Sequence, residues 1–389
     1  MFEGKLVFAQ LMDHLPLHTL RRCIERFDGD RAVKGFSCQD QFRCMAFAQL
    51  TYRDSLRDTV TCLNAQAGKL YHMGFRSSVR RSTLADANET RDWRLYAAFA
   101  QALIVQARRL YAGDALLADF NSAAYALDTT TIDLCLSLFP WAPFQPTKAA
   151  LKLHTMMDLR GNIPVFVHID DGKSYDTDIL DVLVPEPGSI YVMDRGYLDF
   201  TRLNRLAATG AFFLVRAKTK QGLRRLVSHP VDRATGLVCD QTVKLKFPTT
   251  AAKYPGRLRR VRYRDPKTGR SFSFLTNNFS LPPMVIADLY RCRWQVELFF
   301  KWIKQHLRIK SFFGITQNAV KTQIWIAVSV YVLIAIVKKR LALDASLYTI
   351  LQTISVTIFE KTSLDQMLAT NALSQTKSAE ANQLNLFEN

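Results

Sequence analysis

The stretch from Leu289 to Leu307 constrains the chain most, because its nineteen residues, Leu-Tyr-Arg-Cys-Arg-Trp-Gln-Val-Glu-Leu-Phe-Phe-Lys-Trp-Ile-Lys-Gln-His-Leu, include neither Gly nor Pro. It reads as one amphipathic helix. At about 100° per residue, Tyr290, Arg293, Glu297 and Lys304 fall within roughly 60° of one another, flanked by Lys301 and Arg308. Val296, Phe300, Ile303 and Leu307 form an adjacent apolar stripe that must bury against a sheet or a second helix. A single carboxylate therefore sits inside a cationic and aromatic face beside a buried edge. Taken alone, that face also suits a solvated helix on which Glu297 pairs with Lys301 at i,i+4.

Charge narrows the choice. The chain has 389 residues, enough for two or three domains, with a net charge of +18 and a pI near 9.7. Such a surplus points to a polyanionic partner, either nucleic acid or an acidic membrane surface. The seven cysteines are scattered and form no C-x-x-C pair, which argues against a disulfide framework and a zinc site and fits a reducing cytoplasm. No signal peptide is legible at the N-terminus. The longest apolar run, Ile324 to Val337, has 14 residues. A membrane span needs about 20, so a buried helix and no membrane partner are expected.

Residues 1–115 have helical spacing, with breaker-free segments at Gln41–Leu50 and Trp93–Leu110. Between them Gly74 to Thr83 forms a basic loop carrying Arg80 and Arg81, which should run into a helix N-cap at Ser82 or Thr83. To residue 110 there are 17 Lys and Arg against 11 Asp and Glu, consistent with a DNA-contacting helical domain or a solvated bundle. Composition shifts near residue 120. Tyr125–Leu134 is strand-like, and Lys152–Leu159 with Ile163–Ile169 reads as a hairpin around Arg-Gly-Asn. A short helical segment follows at Ser174–Leu183. Then come a strand within Ser189–Tyr197, a helix at Phe200–Ala208 and a strand at Phe212–Ala217.

That order, over residues 120–217 and again from 283 to 310, is the order of an RNase H-like fold with a mixed five-stranded sheet. Order alone is weak evidence for a fold, and a fold does not settle function. Residues 218–282 interrupt it with β-prone runs. From Arg216 to Arg270 there are 16 Lys and Arg against 3 Asp and Glu. A surplus this dense, which includes Arg257, Arg259, Arg260 and Arg262, is expected to face nucleic acid. Residues 311–370 read as helical and 371–389 as a disordered polar tail. The expected class is thus α/β, with an all-α N-terminal domain and a basic β-rich insertion before the last catalytic helix.

Asp128 and Asp194 read as strand-end aspartates and Glu297 lies on the helix, giving three hard oxygen donors of the kind Mg²⁺ takes. Two such ions activate an attacking oxygen and stabilise the leaving oxygen of a phosphodiester. Each carboxylate also has a bland role: Asp128 as a turn cap, Asp194 as a partner of Arg195. Asp133, Asp170 and Asp171 compete for the same ligand positions.

Tyr290-x2-Arg293-x3-Glu297-x6-Lys304 resembles the Y-R-E-K motif of bacterial insertion-sequence transposases of the IS-four type. Asp128 in Leu-Asp-Thr-Thr-Thr and Asp194 in Val-Met-Asp-Arg-Gly-Tyr match that family's first and second aspartate motifs. The resemblance covers roughly residues 1–370. It implies an RNase H-like fold with a DDE triad of Asp128, Asp194 and Glu297 holding two Mg²⁺ ions, with Mn²⁺ as a substitute. The implied activity is cleavage at element ends and strand transfer into target DNA, by a homodimer in the synaptic complex. Tyr290, Arg293 and Lys304 would hold terminal phosphates and an unstacked end base. Some relatives stack that base on a tryptophan in the insertion. This chain has no Trp between residues 142 and 293, leaving Tyr254, Tyr263, Phe272 or Phe274 as substitutes.

The alternatives are a transposase-derived DNA-binding protein without catalysis, and a plain RNase H-like nuclease. The tail ends in Gln383-Leu-Asn-Leu-Phe387, which resembles the Q-L-x-L-F peptide that docks on the bacterial sliding clamp. Gln383, Leu384, Leu386 and Phe387 would then be the anchors, unless the tail folds back on the C-terminal helices.

Overall fold

Ala124-Tyr-Ala-Leu and Ile190-Tyr-Val-Met are the seeds of the fold. Both are four-residue runs buried on both faces, the pattern of central parallel strands. The computed structural model describes residues 4–117, 120, 122–218, 221–307 and 312–368. The expected roles of Arg308 and of the tail peptide Gln383–Phe387 lie outside the described residues.

The strands are β1 (Ala124–Leu134), β2 (Pro143–Gln145), β3 (Lys148–Asp158), β4 (Ile163–Asp171), β5 (Ile190–Met193), β6 (Phe212–Arg216), β7 (Leu223–His229), β8 (Leu237–Leu245), β9 (Leu258–Arg264) and β10 (Ser271–Thr276). The helices are α1 (Val7–Asp13), α2 (Leu17–Arg26), α3 (Cys38–Leu50), α4 (Leu56–Asn64), α5 (Ala67–Leu70), α6 (Arg81–Thr90), α7 (Arg94–Tyr111), α8 (Ile179–Val182), α9 (Phe200–Ala208), α10 (Pro248–Lys253), α11 (Pro283–Cys292), α12 (Trp294–Leu307), α13 (Gln317–Arg340) and α14 (Leu347–Thr357).

The sheet runs β4-β3-β1-β5-β6-β10-β9-β8-β7, with β2 also on β3. β1, β5 and β6 are parallel. β3 runs against β1, since Leu159 donates to the Ala124 carbonyl while His154 meets Thr129. The five-stranded RNase H-like order is therefore present. The insertion continues the same sheet, with β10 antiparallel to β6 and β9, β8 and β7 following as antiparallel neighbours.

The chain divides into two compact units: the described residues of 1–112, 132–151 and 301–368, and those of 113–131 and 152–300. In the first, α13 packs against α7, α3, α6 and α14. Every residue from Ile324 to Val337 is buried. A helix surrounded by others must be apolar all round, which explains why this segment is long and apolar enough to cross a membrane while lying inside the protein. Tyr111 donates to the Ala335 carbonyl at 2.8 Å. The N-terminal helices thus share their core with the segment expected as a separate C-terminal region.

α6 starts at Arg81 with Arg80 at its N-cap, rather than at Ser82 or Thr83. Asn64 fixes that start by donating to the Val79 carbonyl and accepting from the Val79 N–H. Arg80 and Arg81 are exposed there. Cations at a helix N-terminus are disfavoured by the macrodipole unless an anion arrives.

In the second unit one sheet face packs Tyr125, Leu127, Tyr191, Met193, Phe213 and Val215 under α8 and α9. Residues of the opposite parity, Asp128 among them, point to the other face. The expected hairpin is present, its turn using positive φ at Gly161 and Asn162. All seven cysteines are free thiols.

Candidate active site

Parallel register builds the site. Leu127 pairs with Met193, and Met193 with Val215, so the next residues, Asp128, Asp194 and Arg216, form a row across three strands. Asp128 is not at a strand end, as expected from sequence, but at the fifth residue of β1, which runs on to Leu134. What ends there is the pairing with β5.

The organising stretch is not one helix either. α11 begins at Pro283, six residues early, and stops at Cys292, and α12 starts at Trp294. At the junction Arg293 N–H bonds to Tyr290 O at 3.2 Å and Val296 N–H to Arg293 O at 3.1 Å. These are i,i+3 bonds that tighten the turn. No Gly or Pro accounts for the break. The residue at it is the one whose side chain bridges two carboxylates.

Arg293 Nη1 donates to Asp128 Oδ2 at 2.7 Å, and Nη2 donates to Glu297 Oε1. Its Nε is buried with no acceptor among the described residues. A buried donor left unpaired costs about 1–3 kcal/mol, so this guanidinium is held well by two bonds and left short of a third. Tyr290 Oη donates to Asp194 Oδ1 at 3.1 Å, and its ring lies 4.6 Å from that of Phe274. Arg216 sits 5.0 Å over the Phe272 ring.

Burial pushes the Asp128 carboxyl up to about 6, against the pull of Arg293 and the Thr129 N–H, with Glu297 and Asp194 adding like charge. Burial pushes Tyr290 up to about 12, with Asp194 contributing. For Arg293, burial works to lower the pKa, but Asp128, Tyr290 and Glu297 outweigh it and raise it.

Beneath Asp128, the Thr129 hydroxyl meets His154 Nδ1 at 2.7 Å and Tyr197 Oη at 2.6 Å. Tyr197 is three residues beyond Asp194, so this contact ties the two aspartate segments together.

Among the described residues no group of three His, Cys, Asp or Glu side chains stands gathered as a metal cluster. The donor chemistry nevertheless fits a hard divalent cation. Asp128 feels both Glu297 and Asp194 as like charges, and the guanidinium now neutralises two of the three. Asp170 and Asp171, the last two residues of β4, accept the backbone N–H bonds of Asp171 and Lys173, and Asp133 is exposed on β1.

Lys301 and Lys304 are exposed on α12. Of the insertion arginines, Arg257 and Arg262 are exposed, and Arg260 bonds to Gln241 through Nε at 3.1 Å. The expectation that Arg259 faces a polyanion is corrected. It is 5% exposed and forks onto Asp240 at 2.9 and 2.7 Å, with a further bond to the Leu281 carbonyl. It shares the inward strand face with Val261 and Tyr263, a period-2 signal present in the sequence. Tyr254, Tyr263 and Phe274 are buried, leaving Phe272 as the partly open aromatic. Arg216 was missed because only strand register places it beside Asp194.

Residues 3–76 match a domain of unknown function, DUF4372. Over 214 residues the chain is 34% identical to a Sinorhizobium fredii protein named as transposase y4zB, covering 54% of this chain and 59% of that one. Over 221 residues it is 32% identical to a Geobacillus stearothermophilus protein named as the transposase of insertion sequence element IS5377, covering 55% and 56%. The chain thus spans less than two thirds of the length of these relatives. A piggyBac transposase in a synaptic complex with hairpin DNA aligns with 98% of this chain and 83% of its own at 11% identity, with a TM-score of 0.41, a likeness too weak to assign a fold. Residues 121–333, more than half of the chain, match the model of the transposase DDE domain with Asp128, Asp194 and Glu297 inside the match, and the chain belongs to that family.

Proposed function

We propose that the protein cleaves phosphodiester bonds at the ends of an insertion element and transfers the freed 3′ ends into target DNA. The observation that carries this reading is the row of Asp128 and Asp194 set by one strand register, with Glu297 tied to the first through Arg293. Membership of the DDE family supports it, and with membership comes a general use of divalent metal ions. Asp128, Asp194 and Glu297 would hold Mg²⁺, with Mn²⁺ as a substitute. When bound, the metal supplies an activated attacking oxygen and neutralises charge on the leaving one.

The chain's own residues do the rest. Exposed Lys301 and Lys304 offer point charges to phosphates, while Arg216 and Arg293 offer forks that match phosphate oxygens. Arg80 and Arg81 in the first unit, and Arg257 and Arg262 in the second, would each add cations for sequence-independent grip on duplex DNA. Phe272, only partly buried and with Arg216 over its ring, would stack an unpaired base, a contact worth about 1–3 kcal/mol. Tyr290 fixes Asp194 by its hydroxyl and so holds one carboxylate still while phosphate charge changes.

The reading includes a homodimer on paired ends and docking of the tail on a sliding clamp. A transposase-derived DNA-binding protein without catalysis is disfavoured because all three carboxylates are retained. The test is to incubate the purified chain and Mg²⁺ with a plasmid carrying the gene and its flanking DNA. Excision at the gene's flanking repeats is expected, and an intact plasmid in the presence of bound protein contradicts the proposal.

A further inference from the structure

The residue between the carboxylates is itself a cation. Arg293 is 12% exposed at its side chain and carries Asp128 on one nitrogen and Glu297 on another. One oxygen of each of two carboxylates that a metal would need, Asp128 Oδ2 and Glu297 Oε1, is therefore engaged by the protein's own guanidinium. A metal that takes those two oxygens competes with it, and a displaced guanidinium in a part-buried site needs a new anion.

The third nitrogen, Nε, is buried without an acceptor among the described residues, so its present partners do not satisfy it. A phosphate offers three oxygens in a geometry that a guanidinium fork can take with Nε included. Tyr290, whose ring lies under the guanidinium at 5.6 Å, keeps Arg293 close to the site when it turns.

We infer that Arg293 is an exchange residue. Without DNA it serves as the counter-cation of Asp128 and Glu297 and competes with divalent metal, and a DNA phosphate draws it off and frees the carboxylates. Metal and DNA binding are then coupled, and by thermodynamic linkage each strengthens the other by the same factor. Metal-dependent chemistry is thereby withheld until a nucleic acid is in place. This inference rests on the metal-dependent DNA reading above and goes beyond it by naming the side chain that makes the two ligands cooperative.

The experiment follows Mn²⁺ binding to the full chain by electron paramagnetic resonance. It is run alone and with a saturating 30-base-pair duplex bearing 5′-phosphates, with Asp128→Asn/Asp194→Asn as the background for metal bound elsewhere. For the wild type, duplex should raise Mn²⁺ affinity about tenfold. Arg293→Gln should bind Mn²⁺ about tenfold more tightly than wild type without DNA and gain less than twofold on adding it.

Arg293→Lys keeps the charge but cannot fork. It should lose most of the coupling, which separates exchange from simple charge repulsion, whereas Arg205→Gln, exposed on α9 over the opposite sheet face, should keep it. Thermal melts of each variant check folding. A wild-type affinity that duplex leaves unchanged, or an Arg293→Gln chain that retains the full gain, overturns the inference. Mn²⁺ binding that the double aspartate variant does not reduce instead sinks the metal-site reading itself, so the two failures are distinct.

Discussion

Leu127 stands opposite Met193 in the parallel ladder of β1 and β5, and that one pairing brings Asp128 level with Asp194 although they are 66 residues apart in sequence. The same row reaches Arg216 through the pairing of Met193 with Val215. Carboxylates of like charge are thus delivered to one place by backbone hydrogen bonding, and the cost of crowding them is offset by Arg293.

The insertion arginines should separate by burial. Arg259→Gln leaves Asp240 buried without its partner, and breaking a buried pair this way costs about 3–5 kcal/mol. Urea unfolding should show that loss. Arg257→Gln with Arg262→Gln should leave stability within about 0.5 kcal/mol, while each neutralised phosphate contact lowers the log–log salt slope of DNA binding by about 0.9. An unchanged slope places the DNA elsewhere.

His154 should make stability pH-dependent. Burial pushes its pKa down from 6.5 to about 4. Between those values the unfolded chain takes up a proton that the folded chain refuses. Stability from this group is therefore complete above pH 6.5 and falls as pH drops toward 4, by about 1.4 kcal/mol per unit. Comparing pH 7.5 with pH 5.0, the wild type should lose about 2 kcal/mol more than His154→Gln. Equal losses in the two proteins contradict the assignment.

Tyr290 has two jobs that substitution can split. Tyr290→Phe removes the bond to Asp194 and keeps the ring against Phe274, so a stability loss of about 0.5–1.5 kcal/mol is expected with DNA binding little changed. Tyr290→Ala removes both and should cost more, because the aromatic contact is worth a further 0.5–1.5 kcal/mol or so in addition to its buried area. Equal melting temperatures for the two variants would show that the ring contact contributes nothing.

Much of the layout of the candidate site was legible because it follows short-range rules. A four-residue apolar run ending in Asp194 is a buried parallel strand, and helical spacing brings Tyr290, Arg293 and Glu297 to one side. What escaped depended on long-range pairing. β1 continues past Asp128 because β3 runs beside it, and nothing between Leu127 and Leu134 signals where the β5 pairing stops. The break at Arg293 lies in a stretch without a helix breaker, at a side chain held by residues from two elements. Arg216 looks like any strand-end cation until register sets it beside Asp194. Arg259 was misread for a different reason: net charge was weighed over the alternation that puts it on the same face as Val261 and Tyr263.

In the proposed reaction Asp128, Asp194 and Glu297 together perform the chemistry on DNA bound by other residues. The most direct measurement is cleavage of a plasmid carrying the element ends, with Mg²⁺, by Asp128→Asn, Asp194→Asn and Glu297→Gln, each paired with a DNA-binding titration. Each variant should bind DNA within about threefold of wild type, since the contacts come from cations, while cleavage falls by at least a thousandfold. Cleavage at the wild-type rate by any one of the three would contradict the proposed reaction.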